Sequence, residues 1–347
     1  MPRVSVIVPN YNHEKFLAQR LESVLGQSFG DFELLFLDDA STDKSLEVFR
    51  AYSKDPRIRV CLNENNSGSP FKQWNRGFDL ATGDYIWIAE SDDYSDPRFL
   101  EVLVAALDAN PEAALAYCQS WLVIEGETFK TQNLVRGWYE EFADAVRWND
   151  DFTNSGRSEL AKYMVFKNTI LNASAVLFRA SLLKDGLRSP ENMRLAGDWM
   201  FWSQLLSRGD VVFSSRPMNY FRGAHDGSQR VKTEKLALEL MEGLDVYSYV
   251  DQVAGLELQV RKNVLQYQVM LWGRVAYSRR LDRHVNGQIY KKLLVAHPEA
   301  RNRRIRTIFL PFWYHFMATP FKRIGPLLYS VRALKRISHG IFNSQDI

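Results

Sequence analysis

Two adjacent carboxylates, Asp92 and Asp93, stand just past the apolar run Tyr85-Ile86-Trp87-Ile88-Ala89. Side by side at the end of a buried strand they repel one another, and both are costly to desolvate unless they share a cation. A hard divalent ion with oxygen ligands and open positions for phosphate oxygens resolves that conflict. The competing use is a helix cap, but Asp96-Pro97 fits that role a few residues later. A second acidic cluster, Asp38-Asp39-Ala40-Ser41-Thr42-Asp43, follows the run Phe32 to Leu37. Alone it reads equally well as a turn leading into a capped helix. Asp198, at the start of a segment with Phe201, Trp202, Leu205 and Leu206 on one face, reads by itself first as a cap.

The elements that must position these groups alternate in type over the first 120 residues. Val4 to Pro9, Phe32 to Leu37, Arg57 to Leu62 and Tyr85 to Ala89 read as strands. Between them, Phe16, Leu17, Leu21, Val24 and Leu25, and then Leu46, Val48 and Phe49, fall at helical spacing, and a further helix ends near Thr82-Gly83. Asp96 to Asp108 reads as another helix, with Phe99, Leu103 and Leu107 on one face. Strand–helix alternation predicts an α/β fold: a mainly parallel sheet flanked by helices, with ligands beyond the carboxyl ends of the strands. Pro9-Asn10-Tyr11-Asn12, the Asp38 to Asp43 cluster and Glu90 to Asp93 all lie there. Residues 121 to 165 are less regular and aromatic-rich. Val253, Leu256, Val260, Val264, Tyr267, Leu271 and Val275 predict one face of a long helix.

Composition narrows the function classes. Only two cysteines, Cys61 and Cys118, exclude a disulfide framework and a cysteine-rich metal site, and they suit a reducing compartment. No GxGxxG and no GxxxxGK[ST] follows any strand, which argues against a dinucleotide oxidoreductase or a P-loop NTPase. The net charge of +3 is unevenly spread. Residues 301 to 345 hold nine Lys/Arg and no Asp/Glu, leaving 35 basic against 41 acidic side chains elsewhere. A mildly acidic body argues against a nucleic-acid partner.

Several motifs in register then resemble the inverting family 2 glycosyltransferases. They are Val4-Ser-Val-Ile-Val-Pro-Asn-Tyr-Asn12, Ser23-Val24-Leu25-Gly26-Gln27-Ser28, Asp38 to Asp43, Asn75-Arg76-Gly77, Ala81-Thr82-Gly83-Asp84-Tyr85-Ile86 and Ser91-Asp92-Asp93. The likeness covers about residues 3–120 and resumes weakly to about 230. It implies a GT-A nucleotide-diphospho-sugar transferase fold over 1–230, with a donor half to about 120 and an acceptor half beyond. A helical region at 231–300 and a basic tail at 301–347 would follow.

The resemblance also implies roles. Pro9 and Tyr11 would border the nucleotide base, and Asp39 would accept the imide N–H of a uracil or thymine. Asp93 would coordinate Mn²⁺ or Mg²⁺ directly, with Asp92 shared between ribose and metal. Many relatives carry Asp where this chain has Glu90, which is not counted as a ligand, and Ala-Arg where it has Gln73-Trp74. Lys72 would supply positive charge toward the diphosphate in place of that arginine. Gly197-Asp198-Trp199 resembles an acidic pair followed by an aromatic, with Gly197 in place of the first acid. Asp198 becomes the general base, kept ionised by its helix start. In Tyr220 to Ser228, His225 would complete the metal shell or touch the diphosphate, and Arg222 would balance negative charge. The other histidines, His13 among them, default to structural roles.

The expectation is thus a metal-dependent enzyme moving a sugar from a UDP donor, or second a dTDP donor such as dTDP-rhamnose, to a glycan or lipid-linked glycan. A catalytically silent sugar-nucleotide or glycan-binding module is the alternative, opposed by the intact Asp39, Asp92, Asp93 and Asp198. A nucleotidyltransferase would need a glycine-rich phosphate loop between Val8 and Lys15, which is absent. The opening Met1-Pro2-Arg3 shows no signal-peptide pattern, so a cytoplasmic chain is expected. The fourteen mainly apolar residues Ile308 to Phe321 are too few to span a bilayer, which takes about 20. With aromatics and flanking Arg and Lys, residues 301–340 instead predict peripheral contact with an anionic membrane surface, on the inner face of the cytoplasmic membrane.

Overall fold

Strand β1 (Val4–Asn10) is buried on both faces, and its side chains alternate between two cores. Val4, Val6 and Val8 enter one cluster, while Ile7 enters the other. Strand β2 (Phe32–Asp38) repeats the pattern, with Leu34 and Phe36 on the first side and Leu35 and Leu37 on the second. A near-continuous apolar run is what a parallel strand covered on both faces requires. The computed structural model describes residues 1–124, 127–131, 139, 142, 144–222, 229–277 and 282–298. The sequence-predicted tail at 301–347 and His225 lie outside the described residues.

Helices α1 (Glu14–Leu25), α2 (Ser45–Arg50), α3 (Pro70–Leu80) and α4 (Phe99–Ala109) alternate with β1, β2, β3 (Ile58–Leu62) and β4 (Tyr85–Ile88). The strand order runs β3-β2-β1-β4, all parallel. Leu17, Leu21 and Val24 of α1, at helical spacing, join Phe99, Leu103 and Leu107 of α4 in the first core. Phe71, Trp74 and Phe78 of α3 cover the opposite face. Asp96 leads into α4 as the cap reading expects, its carboxylate accepting from Arg98 N–H and its carbonyl from Phe99 N–H. Gln27, just past the end of α1, reaches across to accept from Leu100 N–H.

Beyond β4 the sheet becomes mixed. The elements are β5 (Tyr94–Ser95), β6 (Ala113–Ile124), β7 (Glu127–Thr131), β8 (Phe152–Asn154), the short helix α5 (Gly156–Glu159), β9 (Val176–Arg179), α6 (Gly197–Leu206) and β10 (Asp210–Arg222). Strand β9 inserts antiparallel between β4 and β6, and β10 then pairs parallel to β6. Helix α6 lies over α3, where Phe78 stacks on Phe201 at 5.4 Å.

Helices α7 (Gln229–Ala254), α8 (Leu258–Tyr277) and α9 (Arg283–Ala296) follow. The single long helix expected around Val253 to Val275 is two helices, broken at Gly255, whose φ of +61° suits glycine. Val246, Tyr247, Val250, Leu256 and Val264 join the same core as α3 and α6, so the helical region shares the core of the sheet domain. Among the described residues, no helix is long and apolar enough to cross a membrane.

Candidate active site

The loops after β1 and β2 are sewn together at the carboxyl edge of the sheet. Asn10 Nδ2 donates to Asp38 Oδ1 at 2.8 Å, and Asn12 Oδ1 accepts from the Thr42 amide at 2.8 Å. Asn12 and Ala40 hold positive φ values of 57° and 59°; for Ala40 that is a strained conformation fixed by its surroundings. Asp43 takes the capping role, accepting from the Glu14 amide at the start of α1 and the Ser45 amide at the start of α2. Pro9 is buried in β1, while Tyr11 projects with 45% of its surface exposed.

Asp39 turns the other way, toward α3. Its Oδ1 accepts from Asn63 Nδ2 (2.6 Å), Ser67 N (2.8 Å) and Gln73 Nε2 (2.9 Å), and its Oδ2 from Ser67 Oγ (2.8 Å). The start of α3 is the junction of the site. Phe71 lies against Gly197, where a Cβ would meet its ring at 2.4 Å. Gln73 reaches Asp39, Trp74 Nε1 donates to Glu90 Oε1 at 2.7 Å, and Asn75 exchanges hydrogen bonds with Ser189. Four side chains within five residues thereby gather the segments carrying Asp39, Asp92 and Asp198. Beside them, Ser67, Gly68, Lys72, Glu191 and Arg194 line a cavity of about 290 Å³.

The carboxylates after β4 differ sharply. Burial, and then the charge of Asp92, lifts the Glu90 carboxyl to about 8. Asp93 is 1% exposed: its Oδ2 accepts from Asn172 Nδ2 (2.9 Å) and Ser174 Oγ (2.7 Å), and its Oδ1 from the Arg222 amide (2.9 Å). Asp92 is half-buried, and no described residue donates to its carboxylate. The sequence reading gave Asp93 the direct metal contact; in the structure three of its acceptor positions are taken by inward donors. The Asp92 carboxylate has no such inward donors among the described residues. Among the described residues no cluster of three metal-binding side chains forms.

Arg222 is turned onto the protein rather than outward. It donates to the Asp92 carbonyl and to Gln19 Oε1, and its guanidinium lies over the rings of Phe16 (4.7 Å) and Tyr94 (5.0 Å). Lys72 is exposed at the cavity, donating to the Ser67 carbonyl at 3.2 Å.

Asp198 lies in the first turn of α6. Its Oδ1 accepts from the Trp199 amide (2.7 Å) and its Oδ2 from Asn168 Nδ2 (3.0 Å). Desolvation is the largest influence and outweighs these donors, lifting the carboxyl to about 7. The amides at the helix start act to keep it ionised, as expected, but burial outweighs them. A carboxyl near 7 is matched to proton abstraction at neutral pH.

The profile of Glycosyl transferase family 2 matches residues 5–184, more than half of the chain. The chain belongs to that family. It is 28% identical over 211 residues to the Staphylococcus aureus poly(ribitol-phosphate) β-N-acetylglucosaminyltransferase TarS, covering 58% of this chain and 32% of TarS. It is 42% identical over 108 residues to the Bacillus subtilis putative glycosyltransferase EpsE, covering 31% of this chain and 39% of EpsE. The chain therefore spans well under half the length of these relatives. Its fold is similar to the crystal structure of TarS 1–349 with UDP-GlcNAc, with a TM-score of 0.54, 20% identity, and 86% and 91% of the two chains covered. It is also similar to the Pyrobaculum calidifontis mannosyltransferase in complex with GDP-Man and Mn²⁺, with a TM-score of 0.52, 17% identity, and 88% and 82% covered. These likenesses establish the GT-A type of fold.

In this family 2 chain, several groups at the site escape sequence reasoning. His13, assigned there to a structural role, has Nδ1 2.7 Å from Ser91 Oγ, next to Asp92. Arg20 is fully buried: its Nε donates to the Glu90 carbonyl at 2.7 Å and its Nη2 lies 3.9 Å from Asp93. Asn168, Asn172 and Ser174 come from an irregular stretch with no motif. A buried arginine among α1's apolar positions was the one visible signal, since Arg is rarely buried without a partner.

Proposed function

We propose that the protein is a metal-dependent inverting glycosyltransferase acting on a uridine diphosphate sugar, with a thymidine diphosphate sugar second. One observation carries the reading: α3 ties the Asp39 loop, the Glu90 to Asp93 loop and the Asp198 helix together, beside the cavity that Lys72 lines. The UDP and UDP-GlcNAc complexes of TarS support the choice of donor. Asp39 reads the base and Pro9 and Tyr11 border it, with Lys72 placed for the diphosphate. For Asp39 to accept an imide N–H, a new donor must share Oδ2 with Ser67 or displace a resident one.

Asp92 would hold a divalent ion, whose chemistry is to neutralise charge on the departing nucleoside diphosphate. Asp93 braces that loop from inside, and Arg222 holds the backbone of Asp92. Asp198 takes the proton of the acceptor hydroxyl, which attacks the anomeric carbon from the face opposite the leaving group and inverts it. For the acceptor we propose a glycan or lipid-linked glycan. A Campylobacter jejuni glucosyltransferase named for an undecaprenol-linked glycan, 36% identical over 94 residues, supports this, as does the basic aromatic sequence at 301–340. That relative's match covers 27% of this chain and 30% of its own length.

The test is calorimetric titration of UDP and dTDP with and without Mn²⁺. Manganese-dependent UDP binding is expected. Preference for dTDP would replace the donor assignment, and no binding to folded protein would favour a silent module.

A further inference from the structure

The segment 189–196, which leads into α6 and Asp198, is gripped at both ends. Asn75 holds Ser189, as described above. The other end is held from the C-terminal helical region. Glu242, in the middle of α7, is 6% exposed, and both of its carboxylate oxygens point at backbone amides just before α6. Oε1 accepts from Arg194 N at 2.8 Å, while Oε2 accepts from Leu195 N at 2.8 Å and Ala196 N at 2.7 Å. Three consecutive amides on one carboxylate form a fixed anion clamp at a helix start, where the partial positive charge of the helix reinforces it. The helices approach closely here: a Cβ on Gly243 would lie 3.2 Å from the Trp199 ring, and Trp199 follows Asp198 directly.

We propose that Glu242 is a positioning residue for the base, so that a helix outside the family-matched residues 5–184 sets the geometry of catalysis. This rests on the reading of Asp198 as base. The side chain of Ala196, the helix-capping residue, makes no cap hydrogen bond, and within the first turn of α6 the Asp198 carboxylate is what accepts the Trp199 amide. Glu242 fixes the residues before α6 from 46 residues away, and Gly197, seated on Phe71, carries that hold to Asp198. A general base displaced by about 1 Å loses on the order of 100-fold in rate. The donor, held mainly by the Asp39 and Asp92 loops, touches the clamped segment only where Glu191 and Arg194 line the cavity beside Lys72, so its affinity changes much less than kcat.

The test uses full-length Glu242→Gln, which keeps shape but replaces one of the two acceptor oxygens with an NH2 donor, leaving at least one of the three amides facing a donor. Turnover is read as UDP release from whichever UDP-sugar the wild type consumes, together with UDP affinity and melting temperature. The expected result is a fall in kcat of about 100-fold per folded molecule, with a much smaller change in UDP affinity. A variant that melts earlier but turns over normally per folded molecule would reduce Glu242 to a structural cap and overturn the proposal. If the variant does not fold, hydrogen exchange on the wild type decides. Slow exchange at the Arg194, Leu195 and Ala196 amides is required, and exchange at the rate of an open loop removes the clamp. Wild type that binds no nucleotide and releases no UDP would sink the transferase reading instead, a result distinct from either outcome above.

Discussion

The two ends of the parallel strands carry buried carboxylates in opposite states. At the amino ends, Glu33 Oε1 accepts from Ser5 Oγ (2.7 Å), Thr82 N (2.8 Å) and Thr82 Oγ1 (2.7 Å), and its Oε2 from Arg59 (2.8 Å). Burial acts to raise its proton affinity, yet those donors outweigh it and hold the carboxyl below its ordinary value. At the carboxyl ends, Glu90 has Trp74 as its side-chain donor and a neighbouring charge in Asp92, and burial prevails, lifting it to about 8. Asp198 follows the same rule at about 7. Glu33 has four donors, whereas Glu90 has one and Asp198 two; Asp93, with three, is still lifted to about 6 by burial and the charge of Asp92. The saturated Glu33 is a fastening, while the carboxylates around Asp92, where burial outweighs the donors, keep raised proton affinities that chemistry can use.

The largest expected effect at the reactive edge belongs to Asp198→Asn. It should lower turnover by about 10²- to 10⁴-fold, the usual worth of a general base, and leave UDP affinity intact. Normal turnover would remove Asp198 from the mechanism. Next comes the contrast between neighbours. Asp92→Asn should abolish the manganese dependence of UDP binding with little change in melting temperature. Asp93→Asn should instead destabilise the fold by about 1–3 kcal/mol, because three inward donors lose a full acceptor. The reverse pattern would return direct coordination to Asp93. Smallest in its effect on function is Glu33→Gln at the fastening edge, expected to cost about 1–3 kcal/mol of stability with no effect on UDP binding. Because the folded-state value of Glu33 is depressed, its contribution is present above the ordinary carboxylate value and is lost as pH falls through the folded value. The gap between wild type and variant in urea unfolding should therefore close at acid pH, and a gap independent of pH would contradict the contrast.

The parallel half of the fold was legible in the sequence because each strand ends where polarity changes and each helix follows at its own period. The antiparallel insertion of β9 was not, since a four-residue apolar run carries no sign of its direction. Motif matching also does not tell the two edges apart. Thr82-Gly83 proves to be part of the fastening: Gly83 lies so close to β1 that a Cβ would meet the Ser5 nitrogen at 2.7 Å. Adjacent Asp92 and Asp93 could be recognised together, but which one faces inward depends on Asn172 and Ser174, some 80 residues away. Gln73 and Trp74 read as departures from the family pattern. In the structure they are the donors to Asp39 and Glu90, so one departure answers another. Gly197, in place of an acid, is explained by the ring of Phe71 occupying the space of its missing side chain.

The most direct test of the contrast is the pH dependence of kcat for UDP release, measured between pH 5 and 9 on wild type and Asp198→Asn. The base must be ionised to act, and its folded-state value is raised to about 7. The wild-type rate should therefore climb with pH through a midpoint near 7, and the residual rate of the variant should show no such step. A flat wild-type profile, or the same midpoint in Asp198→Asn, would contradict the assignment of a poised base to the reactive edge.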